Sequence, residues 1–521
     1  MKLYKKLLIA IVALILLILL INVGLNFWIA RQLPGIINEN NDSPYHITYQ
    51  ELTVSLLDKN IFAREIILVP KASLTKTEKK AGLYANIRTV QIADFNLWDL
   101  LFTRKIRAKK LHVIKPEITF YKEAEEEKKK EKRSIKSEVV EPFGKIIYVS
   151  DVFIEEGLFQ MIPPNATKAS LTARNVSMEL EGILVSERTL KEKIPFEFKK
   201  YSLGCDSIDY LVSRFYRVKA KHFKTSGDSL KIDGLALIPR LGRKAFISVI
   251  PKEKDLYSVN VKGLTIAGLY WGFGKKGFSF RSKAVTLDGV NADIYRGKMP
   301  PDDMSEKKLY SKILREMKFD MRIDTLRLRN SKIVYEEEKD IEKGAGKLVF
   351  GNLNMLATAV NSGYGKSELP DVNINVSARF MNISPMRVVW SFNVLDQNDR
   401  FRIRGSIFDF PAEGLAPFTK PYSNTIVEGN MDEVYFDFRG DRNNSQGTFG
   451  LNYDDLKVKV FRKNDRRKKN KIVSAIANLF VKNDSKEKVK KTDVSVTRIK
   501  EKSFFNLLWL SLSEGLRKIL L

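Results

Sequence analysis

In QGTFGLNYDDLKVKVF, residues 446–461, apolar side chains occupy alternate positions at Phe449, Leu451 and Tyr453, the register slips at Asp454 and Asp455, and it resumes at Leu456, Val458 and Val460. A period of two puts such side chains on one face of a strand, and the slip marks a bend between two strand segments. The same half-apolar pattern fills most of the chain. It predicts a mainly β protein and raises the question of what so much half-apolar sheet serves.

Four ten-residue segments share a finer pattern: LHVIKPEITF from Leu111, VFIEEGLFQM from Val152, VTLDGVNADI from Val285 and LRLRNSKIVY from Leu326. With the first residue as zero, positions 0, +2, +7 and +9 are Leu111, Val113, Ile118 and Phe120; Val152, Ile154, Phe159 and Met161; Val285, Leu287, Ala292 and Ile294; Leu326, Leu328, Ile333 and Tyr335. All are apolar. Between them stand polar or turn-forming residues such as Lys115, Pro116, Gly157, Gly289, Asn330 and Ser331. Two short strands joined by a turn or bulge, with a change of parity across it, give this spacing. Chance similarity among alternating segments gives it too. The segment starts, at 111, 152, 285 and 326, exclude a short-period solenoid.

A chain of 521 residues suits two or three ordinary domains or one elongated, repetitive sheet. Its net charge of +28 points to an anionic partner, either nucleic acid or membrane head groups. The single cysteine, Cys205, excludes an intramolecular disulfide and cannot alone make a zinc site. The amino terminus chooses between the anionic partners. Residues 7–30 carry no charge, and at about 1.5 Å per residue they cover the roughly 30 Å hydrocarbon core of a bilayer. A cleaved signal peptide is the alternative, but Val23, Leu25, Phe27, Trp28 and Ile29 extend the apolar run where a small-x-small site belongs, which favours an uncleaved anchor. Lys2, Lys5 and Lys6 precede the run, so the amino terminus is expected in the cytoplasm and the rest of the chain on the far side, away from nucleic acid.

The expected organisation is an anchor (1–30), a first β segment (31–121), a charged linker or excursion (122–141), a main β-sheet region (142–461) and a basic, apolar tail (462–521). The linker includes Lys122 to Glu138, where Glu125 and Lys129 stand four apart but no apolar stripe would hold a helix to a core. SEKKLYSKILREMKF (305–319) reads as a helix with Leu309, Ile313, Leu314 and Met317 on one side. In the tail, the basic residues Arg466, Arg467, Lys468 and Lys469 precede a short apolar segment (472–480). A final amphipathic helix then places Phe505, Leu508, Trp509, Leu512, Leu516, Ile519 and Leu520 opposite Asn506, Ser513, Glu514, Arg517 and Lys518. Such a stripe caps a core or lies on a membrane, with the basic run beside it for head groups.

Catalytic signals are absent or fail their context. VNSGYGKS lacks the first glycine of a phosphate loop, since Val360 stands there. Gly272, Gly274 and Gly277 fit a dinucleotide pattern but lead into alternating FSFRSKAVTLDG rather than a helix, so they read as a glycine turn. His46, His112 and His222 are scattered, and acidic pairs such as Asp302 and Asp303 fall in turns. The expectation is a non-enzyme with no catalytic residue, metal or cofactor.

The anchor, the L-x-L-x-N-x-x-I-x-Y repeat at Leu326 to Tyr335 and the block GNMDEVYFDFRGDRNNSQGTFGLNYDDLKVKVF (429–461) resemble AsmA-like proteins of Gram-negative envelopes, relatives of TamB and YhdP. The ending, IANLFVKND (476–484) and SFFNLLWLSLSEGLRKIL (503–520), is similar to a Bacteroidetes-type branch of that family. The resemblance implies an elongated, curved antiparallel β-sheet shaped like a trough, with an amino-terminal transmembrane helix and carboxyl-terminal amphipathic helices. It also implies an inner-membrane location with most of the chain periplasmic, and binding or conduction of phospholipid or another envelope lipid between membranes for outer-membrane biogenesis. On that reading Leu111, Val113, Ile118, Phe120, Leu326, Leu328, Ile333 and Tyr335 are candidates to line the groove, and Arg466, Arg467, Lys468, Lys469 and Trp509 are candidates to meet a membrane surface. The alternative is an anchored scaffold or assembly factor that binds envelope proteins and carries no lipid.

Overall fold

A computed structural model describes residues 45–520 except 56–57, 76–79, 97–98, 100–104, 123–145, 187, 190–195, 275–276, 463–464, 470–484 and 486–487. The expected anchor, all but the first residue of the charged linker, and the apolar segment 472–480 lie outside the described residues. Among the described residues no helix is long and apolar enough to cross a membrane. The chain is mainly strand and divides into two compact units, residues 1–212 with 220–227, and residues 213–219 with 228–521.

In the first unit, β1 (Tyr45–Thr48) and β2 (Glu51–Ser55) both pair with β3 (Asn60–Pro70), which is followed by the one-turn helix α1 (Lys71–Thr75). From β3 the sheet continues through β4 (Gly82–Ala93), β5 (Lys105–Tyr121), β6 (Ile146–Ile162), β7 (Leu171–Val185) and β8 (Lys200–Leu211). Every pairing here is antiparallel except β5 with β6, which is parallel. β9 (Tyr216–Ser226) runs across the division between the units.

In the second unit, β10 (Ser229–Pro239) is followed by α2 (Arg243–Val249) and pairs with β11 (Asp255–Ala267), which pairs in turn with β13 (Gly277–Asp288) and β14 (Asn291–Gly297). β12 (Tyr270–Gly274) makes a hairpin with β13. After α3 (Tyr310–Arg315), β15 (Asp320–Glu338) joins β13 and β14 in parallel. An antiparallel series follows: β16 (Gly346–Asn361), β17 (Val372–Phe380), β18 (Ser384–Phe392) and β19 (Phe401–Pro411). A short 3-10 turn and α4 (Ala416–Ser423) lead to β20 (Thr425–Gly440) and β21 (Asn444–Arg462). β22 (Asp465–Lys469) pairs with the end of β21, β23 (Lys490–Thr497) pairs with its start, and α5 (Phe504–Leu520) closes the chain.

The expectation of a purely antiparallel sheet is therefore corrected to a mixed one. Parallel neighbours need a connection of a dozen or more residues. The links 122–145 and 298–319 supply it, the first being the charged run and the second containing α3. Each parallel junction joins two of the repeated segments with equivalent positions side by side. Leu111 pairs with Val152, Val113 with Ile154, Ile118 with Phe159 and Phe120 with Met161. Val285 pairs with Leu326, Leu287 with Leu328, Ala292 with Ile333 and Ile294 with Tyr335. The repeat is structural, and the 41-residue offset within each pair, 152 less 111 and 326 less 285, is the length of one strand and its crossover.

The change of parity has a backbone cause. Position +4 of each segment is left-handed: Lys115 at φ 51°, Glu156 at 54°, Gly289 at 60° and Asn330 at 49°. One such residue bulges the strand, bends it and returns the next alternation to the original face. Asp455 at φ 48° does the same in β21, which explains the slip in the opening stretch. Because the bulges are in register on neighbouring strands, they form a crease across each sheet. A second set of left-handed residues, Asp94, Gly182, Gly268 and Ala359, lies six or more residues away along the strands.

Candidate functional site

The crease gives the first unit one apolar face made of rows of directly paired side chains. Ile61, Ile92, Leu111, Val152, Leu180 and Tyr201 form one row across six strands; Ala63, Val90, Val113, Ile154, Met178 and Leu203 form the next. Beyond the crease the rows continue through Ala85, Ile118, Phe159, Ala173 and Ile208, then Leu83, Phe120, Met161, Leu171 and Tyr210. Directly paired residues share a face of the sheet. Of these, Ala85 and Val152 are buried, Tyr210 is exposed, and the remainder are half-buried. Among the described residues of this unit, the one α-helix is α1, a single turn next to β3, and no helix lies across the rows.

Comparable rows cross the second unit. Leu230, Ile266, Val285, Leu326, Ala357, Ile374, Trp390, Ile403 and Phe438 are paired in succession. Ile232, Leu264, Leu287, Leu328, Met355, Val376 and Val388 form the adjacent row. Leu328 and Ile333 pack against Val261, Val290 and Ala292, and Leu326 packs against Ile266, Leu269 and Val285. At one end of the strands the face turns polar. Asp255, Arg296 and Glu337 pair across three strands, with Arg296 Nε donating to Asp255 Oδ1 at 2.6 Å. The Tyr335 hydroxyl donates to Glu337 at 2.7 Å, and burial followed by the Glu337 charge holds its pKa well above the ordinary phenol range.

Over the last strands the face is filled. Phe436, Phe438, Phe449, Leu451, Tyr453 and Leu456 are buried together with Phe504, Leu507 and Ile519 of α5. The Phe504 ring stacks on Trp390 at 4.5 Å, and the Ser511 hydroxyl lies 3.1 Å from that of Ser445. The terminal helix thus caps a core, as one expected reading had it, with Leu508, Leu512, Leu516, Ile519 and Leu520 of the expected stripe packed on it but rotated so that Phe505 and Trp509 are left out. Its buried residues are Phe504, Leu507, Ser511, Gly515 and Ile519, while Leu508, Leu512, Leu516 and Leu520 pack at the margins. Phe505 and Trp509 face outward, 60% and 49% exposed. Small side chains set the rotation: a Cβ at Gly515 would run into the Phe449 side chain, and the short Ser511 side chain meets Ser445.

The groove candidates therefore fall into two separate sets, Leu111, Val113, Ile118 and Phe120 on β5 and Leu326, Leu328, Ile333 and Tyr335 on β15, one in each unit. Of the membrane-surface candidates, Trp509 is exposed, and Arg466, Arg467, Lys468 and Lys469 lie in β22, their side chains outside the described residues. The glycine pattern at Gly272, Gly274 and Gly277 belongs to the β12–β13 hairpin, as the reading of a glycine turn expected. Sequence reasoning missed position +5, where Val290 and Ser331 are buried on the same face, and missed further strands with the same spacing. Leu171, Ala173, Met178 and Leu180 flank the left-handed Asn175, and Leu348, Phe350, Met355 and Ala357 flank the left-handed Asn352. Comparison with protein-family models finds no match to the sequence, and comparison with curated proteins finds none.

Proposed function

We propose that this is an AsmA-like lipid-binding or lipid-conducting protein, held in the inner membrane by residues 1–30, whose creased sheet is the wall of a trough on the periplasmic side. The observation that carries the reading is the six-strand apolar face of the first unit, half-buried and without a helix across it among the described residues. Contiguous apolar surface larger than a few hundred Å² on a soluble face marks a binding site. Six strands make five steps of about 4.8 Å, roughly 24 Å. That exceeds the ~15 Å that one leaflet's acyl chains span in a roughly 30 Å hydrocarbon core. The rows of the first unit therefore have the length and the chemistry to hold an acyl chain, and the bulges at Lys115, Glu156 and Asn175 keep both halves of β5, β6 and β7 on that face. In the second unit α5 fills the last strands, which limits an open face there to the earlier ones.

The test is to purify the full chain from membranes in mild detergent and identify co-purifying lipid by mass spectrometry. Deleting residues 462–521 to obtain a soluble piece would remove β23 and α5 and uncover Phe449 and Leu451, so the whole chain is required. Phospholipid is expected to accompany the wild type and to be lost from Val113→Asp with secondary structure retained. A folded chain that carries no lipid and takes up no fluorescent lipid would replace this reading with a protein-binding scaffold.

A further inference from the structure

The β12–β13 hairpin exposes three aromatic side chains in the second unit. Tyr270 is 57% exposed, Trp271 41% and Phe273 47%. β10 begins at Ser229, opposite Ala267, and the Leu269 amide donates to the Asp228 carbonyl, so the hairpin reaches beyond the strand that flanks β11. Exposed aromatic residues scattered singly call for no explanation, but this hairpin is aromatic on both faces, with Trp271 and Phe273 on the face of Phe280 and Phe278, and Tyr270 on the other with Arg281.

The side that carries Trp271 and Phe273 is continuous with the apolar face. Trp271 pairs with Phe280, which packs against Ile266, Leu269 and Val285. Phe273 packs on Phe278 with ring centroids 5.3 Å apart, and Phe278 on Phe319 at 5.7 Å. The opposite side of the hairpin is cationic, with Arg281 and Lys283 on the face of Tyr270. The described residues from Gly268 to Lys283 include five aromatic residues, the cations Arg281 and Lys283, and no acid. The Arg281 guanidinium lies 5.7 Å from the Tyr270 ring centroid and donates to Asp320 at 2.8 Å, and Lys366 shares that carboxylate at 3.3 Å. Lys283 lays its stem against Gly268. Aromatic rings with an apolar body and polar edge, flanked by cations, suit the head-group layer of an anionic bilayer.

We propose that the β12–β13 hairpin inserts Tyr270, Trp271 and Phe273 into the interface of an anionic phospholipid membrane, and that it thereby joins the acyl layer to the apolar face of the second unit. The docking stands on the hairpin alone; the joining rests on the lipid reading above. The test uses the full chain with Cys205→Ser and Phe273→Cys, labelled with an environment-sensitive fluorophore, its amino-terminal segment held in a phosphatidylcholine nanodisc. Vesicles of phosphatidylglycerol are expected to shift the label to the blue, and phosphatidylcholine vesicles to do so weakly. Lys283→Glu should weaken vesicle affinity about fivefold or more, the factor contributed by one membrane-apposed cation. Trp271→Ser should weaken it with the melting temperature unchanged, and a label at Ile341→Cys, also exposed, should not respond. Equal response to both lipids, or no larger response at 273 than at 341, would overturn the docking, and the hairpin would then be a free edge for a protein strand. Lipid co-purifying with the same preparation reports on the groove separately, so either claim can fail without the other.

Discussion

Replacing Gly515 with alanine sets helix propensity against packing. A Cβ added at Gly515 would stand 2.6 Å from Phe449 Cβ and 2.7 Å from Phe449 Cδ1. Phe449 has no room to retreat, being fully buried and paired with Phe436 on one side and Thr492 on the other. Propensity alone predicts that alanine in the helix interior stabilises by about 1 kcal/mol. Over-packing a closed core costs about 1–3 kcal/mol, so the expected net is a destabilisation of about 1–2 kcal/mol in the second unit, more for Gly515→Leu. The assay is urea unfolding of the full chain followed by tryptophan fluorescence, since Trp390 stacks on Phe504 and reports the seating of α5. Phe449→Leu in the Gly515→Ala background should recover part of the loss. Stabilisation by Gly515→Ala would refute the packing of α5 described above.

Leu328→Asp should cost about 2–4 kcal/mol through lost packing on Val261, Val290 and Ala292, whereas Arg327→Asp, whose strand neighbours on the other face include the exposed Leu356, should cost under about 0.5 kcal/mol by the same unfolding assay. At the crease, Glu156→Val should destabilise by about 1–2 kcal/mol, because a β-branched residue resists φ near 54°, while Glu156→Gly should be neutral or stabilising. Loss of the 3.0 Å Lys115–Glu156 ion pair is a small exposed term common to both variants. Burial raises the pKa of Tyr257, Tyr295 and Tyr335 above the ordinary 10.0, and that of Tyr422 to about 12. Groups held neutral in this way contribute stability that is complete below pH 10 and lost as pH rises through their folded values. Alkaline titration should therefore lower the melting temperature from pH 10 upward, less steeply in Tyr335→Phe.

The strand positions were legible because alternation is a local property. Lys115, Gly289 and Asn330 marked the bulges, since turn-forming or polar residues at +4 to +6 tolerate left-handed backbone, while in β6 the signal noted was Gly157, one residue past the left-handed Glu156. Strand direction was not legible, because parallel and antiparallel neighbours give the same period; the signal available was link length, as 122–145 and 298–319 are too long for hairpins. Position +5 was missed because Ser331 and Gly157 do not register as apolar, though Ser331 is buried by bonding the Arg329 carbonyl and the Val290 amide. The rotation of α5 was misread in part for the same reason. Large apolar side chains at Phe505 and Trp509 outweighed Ser511 and Gly515 in the pattern, whereas close approach to the sheet demands the small ones.

The central claim is that the rows through Val113 and Phe120 hold an acyl chain. A photo-crosslinking amino acid placed singly at Val113, Phe120, His112 or Thr119 of the full chain in native membranes tests it directly. By alternation and pairing, Val113 and Phe120 lie on the apolar face, and His112 and Thr119 on the other. Lipid adducts found by mass spectrometry at 113 and 120, and absent at 112 and 119, are the predicted result; adducts equal on both faces, or none at 113 and 120, would contradict the account.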